Sequence, residues 1–183
     1  QMYAYLSDNG LLNPLQSGFR TLHSTVTALL DLTNEWSFNI DRKMINGVIL
    51  LDLKKAFDTV NHEILIKKLE YFGFDPSSIA FFRSYLSNRQ QQCKINGFSS
   101  DFLFTTCGVP QGTILGPLFF LIYVNDMPNC LRNCTARLYA DDTTLSISGS
   151  HTCVIEQLLN ADLRNVSSWL IANKLTLNVL KTV

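Results

Sequence analysis

The sequence lacks any apolar run long enough to cross a membrane. Its longest apolar run, residues 118–124, is far shorter than the ~20 residues that a membrane-spanning helix requires. It also has no basic segment followed by an apolar one at its start, as a secretion signal would have. We therefore expect a soluble protein with no membrane partner. Because the chain begins with Gln1 rather than Met, we also expect it to be a piece of a longer protein.

The sequence has no excess of charge of either sign. Its 15 basic and 15 acidic residues give a formal net charge of zero, so the whole chain has no general attraction to nucleic acid or anionic lipid. Binding of a polyanion would have to come from a local arrangement of residues or from parts of a larger protein. The 183 residues, 46% of them hydrophobic and 16% charged, fit one globular domain rather than a disordered chain.

A disulfide framework is also missing. The five cysteines, at positions 93, 107, 130, 134 and 153, are odd in number and irregular in spacing, which argues against the framework of a small secreted protein. A zinc site built from Cys130, Cys134, Cys153 and His151 would match no strong zinc spacing. We expect isolated thiols in a reducing compartment.

Hydrophobic periodicity, caps and turn residues predict a mixture of helices and strands. Helices are expected over residues 24–38, 61–72, 77–87, 117–126 and 152–172. Strands are expected over residues 47–51, 91–95, 98–105 and 175–179, and on both sides of the turn in RLYADDTTLSI. The first helix should bury Val26, Leu29, Leu30, Thr33 and Trp36, and the strand 47–51 should be buried on both faces. We predict an α+β fold, with helices packed on one face of a small antiparallel sheet.

Three carboxylates stand at the ends of predicted strands. Asp52 ends the strand 47–51, and Asp141 and Asp142 occupy the turn in RLYADDTTLSI. Alone, the adjacent aspartates are typical of an ordinary turn. Carboxylates that converge repel one another unless a cation neutralises them, and oxygen ligands without histidine favour Mg²⁺ or Mn²⁺. Such a site would suit nucleotidyl transfer by two metal ions.

A glycine-rich loop, GVPQGTILGP, lies between the first and the second group of carboxylates. Its glycines allow the backbone to approach a ligand closely. Gln111 offers both a hydrogen-bond donor and an acceptor to a sugar or a base. By itself the loop would be turn chemistry, but with the three carboxylates it suggests a nucleotide site.

The combined motifs resemble those of a known enzyme family. LLDLKKAFDTVNHEIL, GVPQGTILGPLFFLIYVNDM and LYADDTTL, in that order, look like motifs A, B and C of a reverse transcriptase. QSGFR, SYLSNRQQ, WLIANKLTLN and the pair Lys181-Thr182 also match reverse transcriptases of non-LTR (LINE-type) retrotransposons. The resemblance covers nearly all of the chain. It implies a polymerase palm with part of the fingers.

The resemblance implies a metal site. Asp52 and Asp141 would be the chief ligands of two Mg²⁺ ions, which Mn²⁺ could replace, with Asp142 beside them. The backbone carbonyl of Leu53 would complete the shell of the second ion. The primer 3′-hydroxyl, activated at one metal, would then attack a dNTP whose triphosphate is held at the other.

The resemblance also assigns residues to the substrates. Phe57 would be the aromatic gate that excludes a ribose 2′-hydroxyl, and Lys181 would protonate the leaving pyrophosphate or neutralise it. The other implied contacts are Gln111 and Gly112 with nucleotide and template, Tyr139 and Ala140 with primer end and nucleotide, and Arg20 with template or nucleotide phosphates. From the residues alone, ordinary core packing is the favoured interpretation of Phe57, and Lys181 and Arg20 could equally be solvated.

The resemblance implies a function and a division of the chain. Residues 1–46 would be partial fingers and 47–183 mainly palm, with 74–106 as a candidate insertion on the fingers side. The upstream fingers segment and the thumb of the same polyprotein would lie outside this chain. The function would be RNA-directed DNA polymerisation with an RNA template, a DNA primer and dNTPs, in the cytoplasm and nucleus. The alternatives are a catalytically silent remnant that only folds or binds nucleic acid, and an RNA-directed RNA polymerase, against which Phe57 and YADD argue.

Overall fold

The structure, a computed structural model, describes residues 1–183 and contains six α-helices and seven β-strands. The helices are α1 Met2–Asp8, α2 Thr25–Asp41, α3 His62–Tyr71, α4 Pro76–Leu86, α5 Leu115–Val124 and α6 Thr152–Ala172. The strands are β1 Ile45–Leu51, β2 Gln90–Gln91, β3 Lys94–Ile95, β4 Phe98–Ser99, β5 Leu103–Phe104, β6 Thr135–Tyr139 and β7 Asp142–Gly149. Short 3₁₀ turns cover Ala56–Asp58 and Met127–Cys130. The predicted α+β class is confirmed.

Capping residues explain where several helices begin. The hydroxyl of Ser24 accepts the backbone N–H of Thr27, and the Thr27 hydroxyl accepts the N–H of Ser24, which forms a capping box at the start of α2. Asn61 caps α3 through the N–H of Ile64, and Asp75 caps α4 through the N–H groups of Ser77 and Ser78. The predicted starts of α2, α3, α4 and α6 are correct to within one residue, whereas α5 starts two residues earlier than predicted. That helix begins at Leu115, so Pro117 is its third residue and not its first.

The central sheet has three antiparallel strands in the order β1-β7-β6. Leu51 pairs with Thr143, and Tyr139 pairs with Asp142 across the turn that joins β6 to β7. A separate hairpin turns at Asn96-Gly97, where both residues have positive φ, as a type I′ turn requires. Its strands are shorter than predicted and form two separate two-stranded pairs, β2 with β5 and β3 with β4.

One face of the sheet forms the core with α5, α6 and α3. The core contains 25 buried residues, among them Leu51, Leu145 and most of α5. Helix α6 crosses the sheet so closely that a Cβ at Gly47 would lie 2.3 Å from the Ile155 side chain, which explains a glycine within β1. The opposite face is only partly covered, because α2 meets it through polar contacts. Arg137 of β6 pairs with Asp31 and Glu35, and Asn39 donates to Asn46 of β1.

Three details of the sequence prediction are wrong. The predicted buried face of α2 is mostly exposed, with Val26 63%, Leu29 59% and Leu30 54% exposed, because α2 packs through Leu32 and Asn39 instead. Strand β1 is not buried on both faces, since Leu50 is 46% exposed on the side that faces away from the core. Residues 175–179 form no strand. They make one isolated bridge, Leu177 to Leu53, beyond the point where β1 ends.

No helix of the structure combines the length and apolar character that a membrane span requires.

Candidate active site

The three aspartates lie at one end of the sheet. Asp52 follows directly after β1, Asp141 lies in the β6–β7 turn, and Asp142 is the first residue of β7. Because Leu51 pairs with Thr143, the ends of β1 and β7 that carry the carboxylates are adjacent. The antiparallel order of the strands therefore brings together residues that are about 90 positions apart in the sequence.

The carboxylates influence one another electrostatically. Burial raises the pKa of Asp142, and the negative charges of Asp141 and Asp52 raise it further. None of the four ion pairs of the structure involves any of the three aspartates. The structure contains no ready-made group of three His, Cys, Asp or Glu side chains at metal-binding distance. This oxygen-only, uncompensated set nevertheless fits a hard divalent cation, which would remove the mutual repulsion.

A cleft of about 410 Å³ joins most of the predicted site residues. It is lined by residues of four separate segments: Asp52, Leu53, Lys54, Lys55, Ala56, Phe57, Asp58, Gln111, Asp141, Asn178 and Lys181. The structure thus brings Asp52, Leu53, Phe57, Gln111, Asp141 and Lys181 to one place. The cleft is polar and open, and three carboxylates and three lysines line it.

Asn178 is a site residue that no short-range pattern in the sequence indicates. Its side-chain amide donates to Oδ2 of Asp52 over 2.7 Å, and its backbone N–H donates to the Asp52 carbonyl over 2.8 Å. The amide fixes one oxygen of the carboxylate, so that Oδ1 is the oxygen left for another partner. The stretch WLIANKLTLN contains Asn178, but its partner Asp52 lies 126 residues earlier.

Phe57 is held by aromatic contacts on two sides. Its ring stacks on that of Phe120 with a centroid distance of 4.3 Å, and the ring of Phe19 meets it edge-on at 6.1 Å. Phe57 lies in the 3₁₀ turn that follows Lys55, a residue in the left-handed conformation with φ +51°. The ring is half-buried and lines the cleft, so it has a fixed position at the edge of the site.

The glycine-rich loop reaches the cleft through Gln111. Its amide nitrogen donates to Oδ1 of Asp58 over 2.8 Å, which ties the loop to the segment that carries Asp52 and Phe57. Gly112 is exposed, has φ +76°, and lines none of the larger cavities.

Tyr139 and Asp142 flank the turn and lie on the face of the sheet that is turned towards α2. They form a cross-strand pair and line a cavity of about 540 Å³ between α2 and the sheet face that is turned away from the core. Between them in sequence, Ala140 is buried and has φ +58°, a conformation that costs a residue other than glycine roughly 1–2 kcal/mol. The turn therefore directs Asp141 into the cleft and Asp142 towards the opposite cavity.

Arg20 does not line the cleft. One terminal nitrogen of its guanidinium donates to the carbonyl oxygens of Asn13 and Gln16, at 2.9 and 3.1 Å. Arg20 therefore closes its own loop in this structure, and its predicted contact with phosphates stays a prediction.

Comparison with known proteins adds an independent finding. Residues 2–183 match the family described as reverse transcriptase (RNA-dependent DNA polymerase). The chain is 29% identical over 185 aligned residues to the probable RNA-directed DNA polymerase from transposon BS of Drosophila melanogaster. The alignment covers 97% of the chain and 20% of that protein. It is 31% identical over 150 residues to the RNA-directed DNA polymerase from mobile element jockey of Drosophila funebris, or 77% of the chain and 16% of that protein.

Solved structures of two telomerases have a fold similar to that of this chain. Telomerase from Candida albicans, in complex with a fragment of telomeric RNA, superposes on the whole chain with a TM-score of 0.70, at 16% identity and over 34% of the telomerase chain. The apo telomerase from Candida tropicalis gives a TM-score of 0.68 at 14% identity. At this identity the likeness concerns the fold alone, and it fits a polymerase palm.

Proposed function

The chain belongs to the reverse transcriptase (RNA-dependent DNA polymerase) family, in the branch of LINE-type, non-LTR retrotransposons, and from this premise we propose that it is the catalytic core of an RNA-directed DNA polymerase. The chain spans a fifth or less of the length of the two Drosophila relatives. Its activity, substrates and partners are therefore proposed for the longer protein of which it would be the palm and part of the fingers.

The observation that carries the proposal is the single cleft into which four distant segments converge. Asp52 and Asp141 face it from neighbouring strands, and Phe57, Gln111 and Lys181 complete its rim. Metal-bound carboxylates, an aromatic wall, an amide and a lysine are the groups that nucleotidyl transfer to a primer requires. The converging residues are also those that the sequence motifs single out.

Enzymes of this family depend on divalent metal ions in general. Here Asp52, Asp141 and the Leu53 carbonyl would hold two Mg²⁺ ions, or Mn²⁺ in their place, with Asp142 in a supporting position. When bound, the ions would activate the primer 3′-hydroxyl and stabilise the departing pyrophosphate. Asn178 would orient Asp52 by holding its Oδ2, as partners of a metal ligand commonly do.

The remaining residues of the cleft would act on the incoming nucleotide. The ring of Phe57, fixed by Phe120, would fill the space that a ribose 2′-hydroxyl needs. Gln111 and Gly112 would contact nucleotide and template, and Tyr139 and Ala140 would approach the primer end. Lys181, exposed at the rim, would protonate or neutralise the leaving pyrophosphate, and Arg20 would reach phosphates after a change of its loop contacts.

The proposed partners are an RNA template, a DNA primer and dNTPs. A zero net charge gives the chain no general hold on them, so fingers and thumb segments of the same polyprotein would supply much of the phosphate-binding surface. An element that copies RNA into host DNA is translated in the cytoplasm and needs nuclear DNA. We therefore place the protein in both compartments.

The test is primer extension by the full-length protein with RNA template, DNA primer, dNTPs and Mg²⁺. Asp52→Asn and Asp141→Asn should each lower the rate at least ~100-fold, since each removes a metal ligand, while the circular dichroism spectrum and the unfolding temperature stay those of a folded protein. Asp41→Asn, at an exposed position, is the matched control. Near-normal extension by either site variant would defeat the two-metal proposal.

The same assay separates the rival functions. A wild-type protein that binds primer and template without extending the primer would be a silent remnant. A preference for ribonucleotides over deoxyribonucleotides would instead indicate an RNA-directed RNA polymerase. Neither rival has an observation in its favour, because all three aspartates and the aromatic gate position are present.

A further inference from the structure

The segment that contains QSGFR is attached to the catalytic hairpin. The Leu138 N–H of β6 donates to the Leu15 carbonyl over 2.9 Å, and the Ser17 N–H donates to the Leu138 carbonyl over 2.8 Å. These bonds form a parallel bridge between Gln16 and Leu138. The segment thus extends the sheet beyond β6, on the side of the hairpin opposite to β1.

The side chain of Gln16 forms hydrogen bonds with the backbone of Ala140, the residue that precedes Asp141. Its side-chain oxygen accepts the N–H of Ala140 over 2.9 Å, and its side-chain nitrogen donates to the Ala140 carbonyl over 3.1 Å. The same oxygen accepts the N–H of Gly18 over 2.7 Å. Gln16 is only 2% exposed, so these bonds form away from competing water, where a lost partner is costly.

Ala140 needs this support because its backbone conformation is strained. Its φ of +58° lies in the left-handed region, which a residue with a Cβ occupies at a cost. The Gln16 amide bonds both the N–H and the C=O of this one residue. If the amide were absent, the turn could relax, and the next side chain along the chain is Asp141.

The surrounding loop is built for a close approach to the turn. A Cβ at Gly18 would lie 2.1 Å from the backbone nitrogen of Ala140, so only glycine fits there without moving the backbone. Arg20 closes the loop through the Gln16 carbonyl. The ring of Phe19 meets Phe57, and the segment therefore touches both the turn and the gate position of the cleft.

We propose that Gln16 is a positioning residue, which sets the direction of the Asp141 carboxylate by holding Ala140 in its left-handed conformation. The role rests on the proposed function, because it orients a ligand of the proposed metal site. Gln16 itself touches neither metal nor substrate. Its loss should lower metal affinity and the rate of the chemical step, with less effect on nucleotide binding.

The test uses Gln16→Met in the full-length protein, which keeps the length of the side chain and removes its hydrogen bonds. We expect kcat for primer extension to fall roughly 10- to 100-fold, as for a misplaced catalytic group, and KM for dNTP to change less than about threefold. Binding of Mn²⁺, measured by electron paramagnetic resonance without nucleic acid, should weaken about tenfold. Gln157→Met, at an exposed position of α6, is the matched control.

Two further variants distinguish positioning from general stability. Gln16→Glu keeps the acceptor for both N–H groups but turns a second oxygen towards the Ala140 carbonyl, so it should weaken Mn²⁺ binding even if Gln16→Met fails to fold. In an Ala140→Gly background the effect of Gln16→Met on Mn²⁺ binding should shrink, because glycine adopts the left-handed conformation without strain. A role in packing alone predicts the same effect in both backgrounds.

The outcomes separate the two proposals. If the wild-type protein extends primers and the Gln16 variants keep both kcat and Mn²⁺ affinity, the positioning role is overturned and the proposed function stands. If the wild-type protein does not extend primers, the proposed function fails. Mn²⁺ binding then still decides about Gln16: weaker binding by its variants supports the role, and equal binding overturns it.

Discussion

The Phe57 ring stacks on Phe120, forms a T-shaped pair with Phe19 and also lines the cleft. If it is the gate, replacing it with Val should free the space for a 2′-hydroxyl. We expect Phe57→Val to raise ribonucleotide incorporation relative to deoxyribonucleotide incorporation at least ~10-fold, because the ring discriminates by steric clash. Competitive primer extension measures this ratio. Phe98→Val, at a position that is 83% exposed, should leave it unchanged, and an unchanged ratio for Phe57→Val would make Phe57 a packing residue.

Asp162 is a fully buried carboxylate outside the cleft. It accepts backbone N–H groups of Arg132, Asn133 and Cys134 at 3.1, 2.8 and 2.7 Å, and so fixes the loop before β6. Burial acts to raise the pKa of Asp162, but the backbone donors outweigh it, so that its pKa lies below the ordinary value. A depressed pKa stabilises the folded state above the unfolded-state pKa of ~4, and this stabilisation is lost as the pH falls through the lower, folded-state value.

Asp162→Asn should therefore destabilise the protein in a pH-dependent way. We expect its free energy of unfolding to be ~1–3 kcal/mol lower than that of the wild type at about pH 7, because the new amide turns a donor towards N–H groups. The difference should begin to narrow below about pH 4, where the carboxyl takes up a proton in the unfolded wild type, and should be smallest below the lower pKa of the folded state. Urea unfolding of wild type and variant at about pH 7 and below about pH 4 measures the loss of unfolding free energy and its change with pH. Asp101→Asn, at an exposed position, is the control. If the difference in unfolding free energy between wild type and variant were the same at both pH values, the negative charge of Asp162 would not be its cause.

For single residues, the sequence predicted those that lie within a recognisable local motif. It missed those whose role depends on contact with a residue far away in the sequence. Asp52, Asp141 and Phe57 stand within local patterns, and the structure brings them to one cleft. Gln16 and Asn178 lie within QSGFR and WLIANKLTLN, but nothing in these stretches indicates which residues they contact. Their partners, Ala140 and Asp52, lie 124 and 126 residues away, and only the fold brings them into contact.

Helix α2 illustrates how a helical element can be located correctly and oriented wrongly. Its N-cap at Ser24 is a local signal and was predicted correctly. Its apolar stripe suggested the buried face, but the helix docks on the sheet through Asp31 and Glu35, which bind Arg137. The ion pairs depend on β6, about 100 residues later, and the hydrophobic pattern of α2 carries no information about them.

A matched pair of leucines in α2 checks this orientation. Leu32→Ala should lower the free energy of unfolding by about 2–3 kcal/mol, since Leu32 is only 7% exposed and a cavity would replace it. Leu30→Ala should change it by no more than about 0.5 kcal/mol, because Leu30 is 54% exposed. A larger loss for Leu30→Ala than for Leu32→Ala in denaturant unfolding would mean that the predicted stripe, and not the observed face, is buried.

The prediction for α6 is correct and the prediction of a strand at residues 175–179 is wrong, for a related reason. Helix α6 carries a long amphipathic pattern, and its bounds agree with the predicted 152–172. Residues 175–179 alternate as a strand would, but β1 ends at Leu51 and offers them no further edge. The segment instead makes single contacts with Leu53, Asp52 and Lys54. A strand requires a partner, which periodicity alone cannot supply.

The whole molecule holds its five thiols in two environments. Cys93, Cys107 and Cys153 are exposed, and Cys130 and Cys134 are half-buried. Burial, followed by the hydrogen bond and charge of Asp162, raises the pKa of Cys134 to about 12. Burial and the Asp162 charge also raise the pKa of Cys130.

Thiol labelling should therefore report on the folded state of the whole chain. Because the thiolate is the reactive form, we expect three cysteines to react quickly with a maleimide at about pH 8 and two to react slowly. Mass spectrometry of the labelled peptides identifies them, and in guanidinium chloride all five should react alike. Fast labelling of Cys134 in the folded protein would contradict the packing of the loop against α6.

The bonds from Gln16 to Ala140 and from Asn178 to Asp52 have a consequence for the order of folding. Each closes a loop of more than 120 residues, and closing long loops costs chain entropy that only later contacts repay. The β6–β7 hairpin and the individual helices can form from neighbouring residues, but the bonds from Gln16 to Ala140 and from Asn178 to Asp52 require residues that are far apart in the sequence. The geometry of the proposed site should therefore be among the last features to form, so that a growing chain acquires its helices and hairpin before this arrangement of the aspartates.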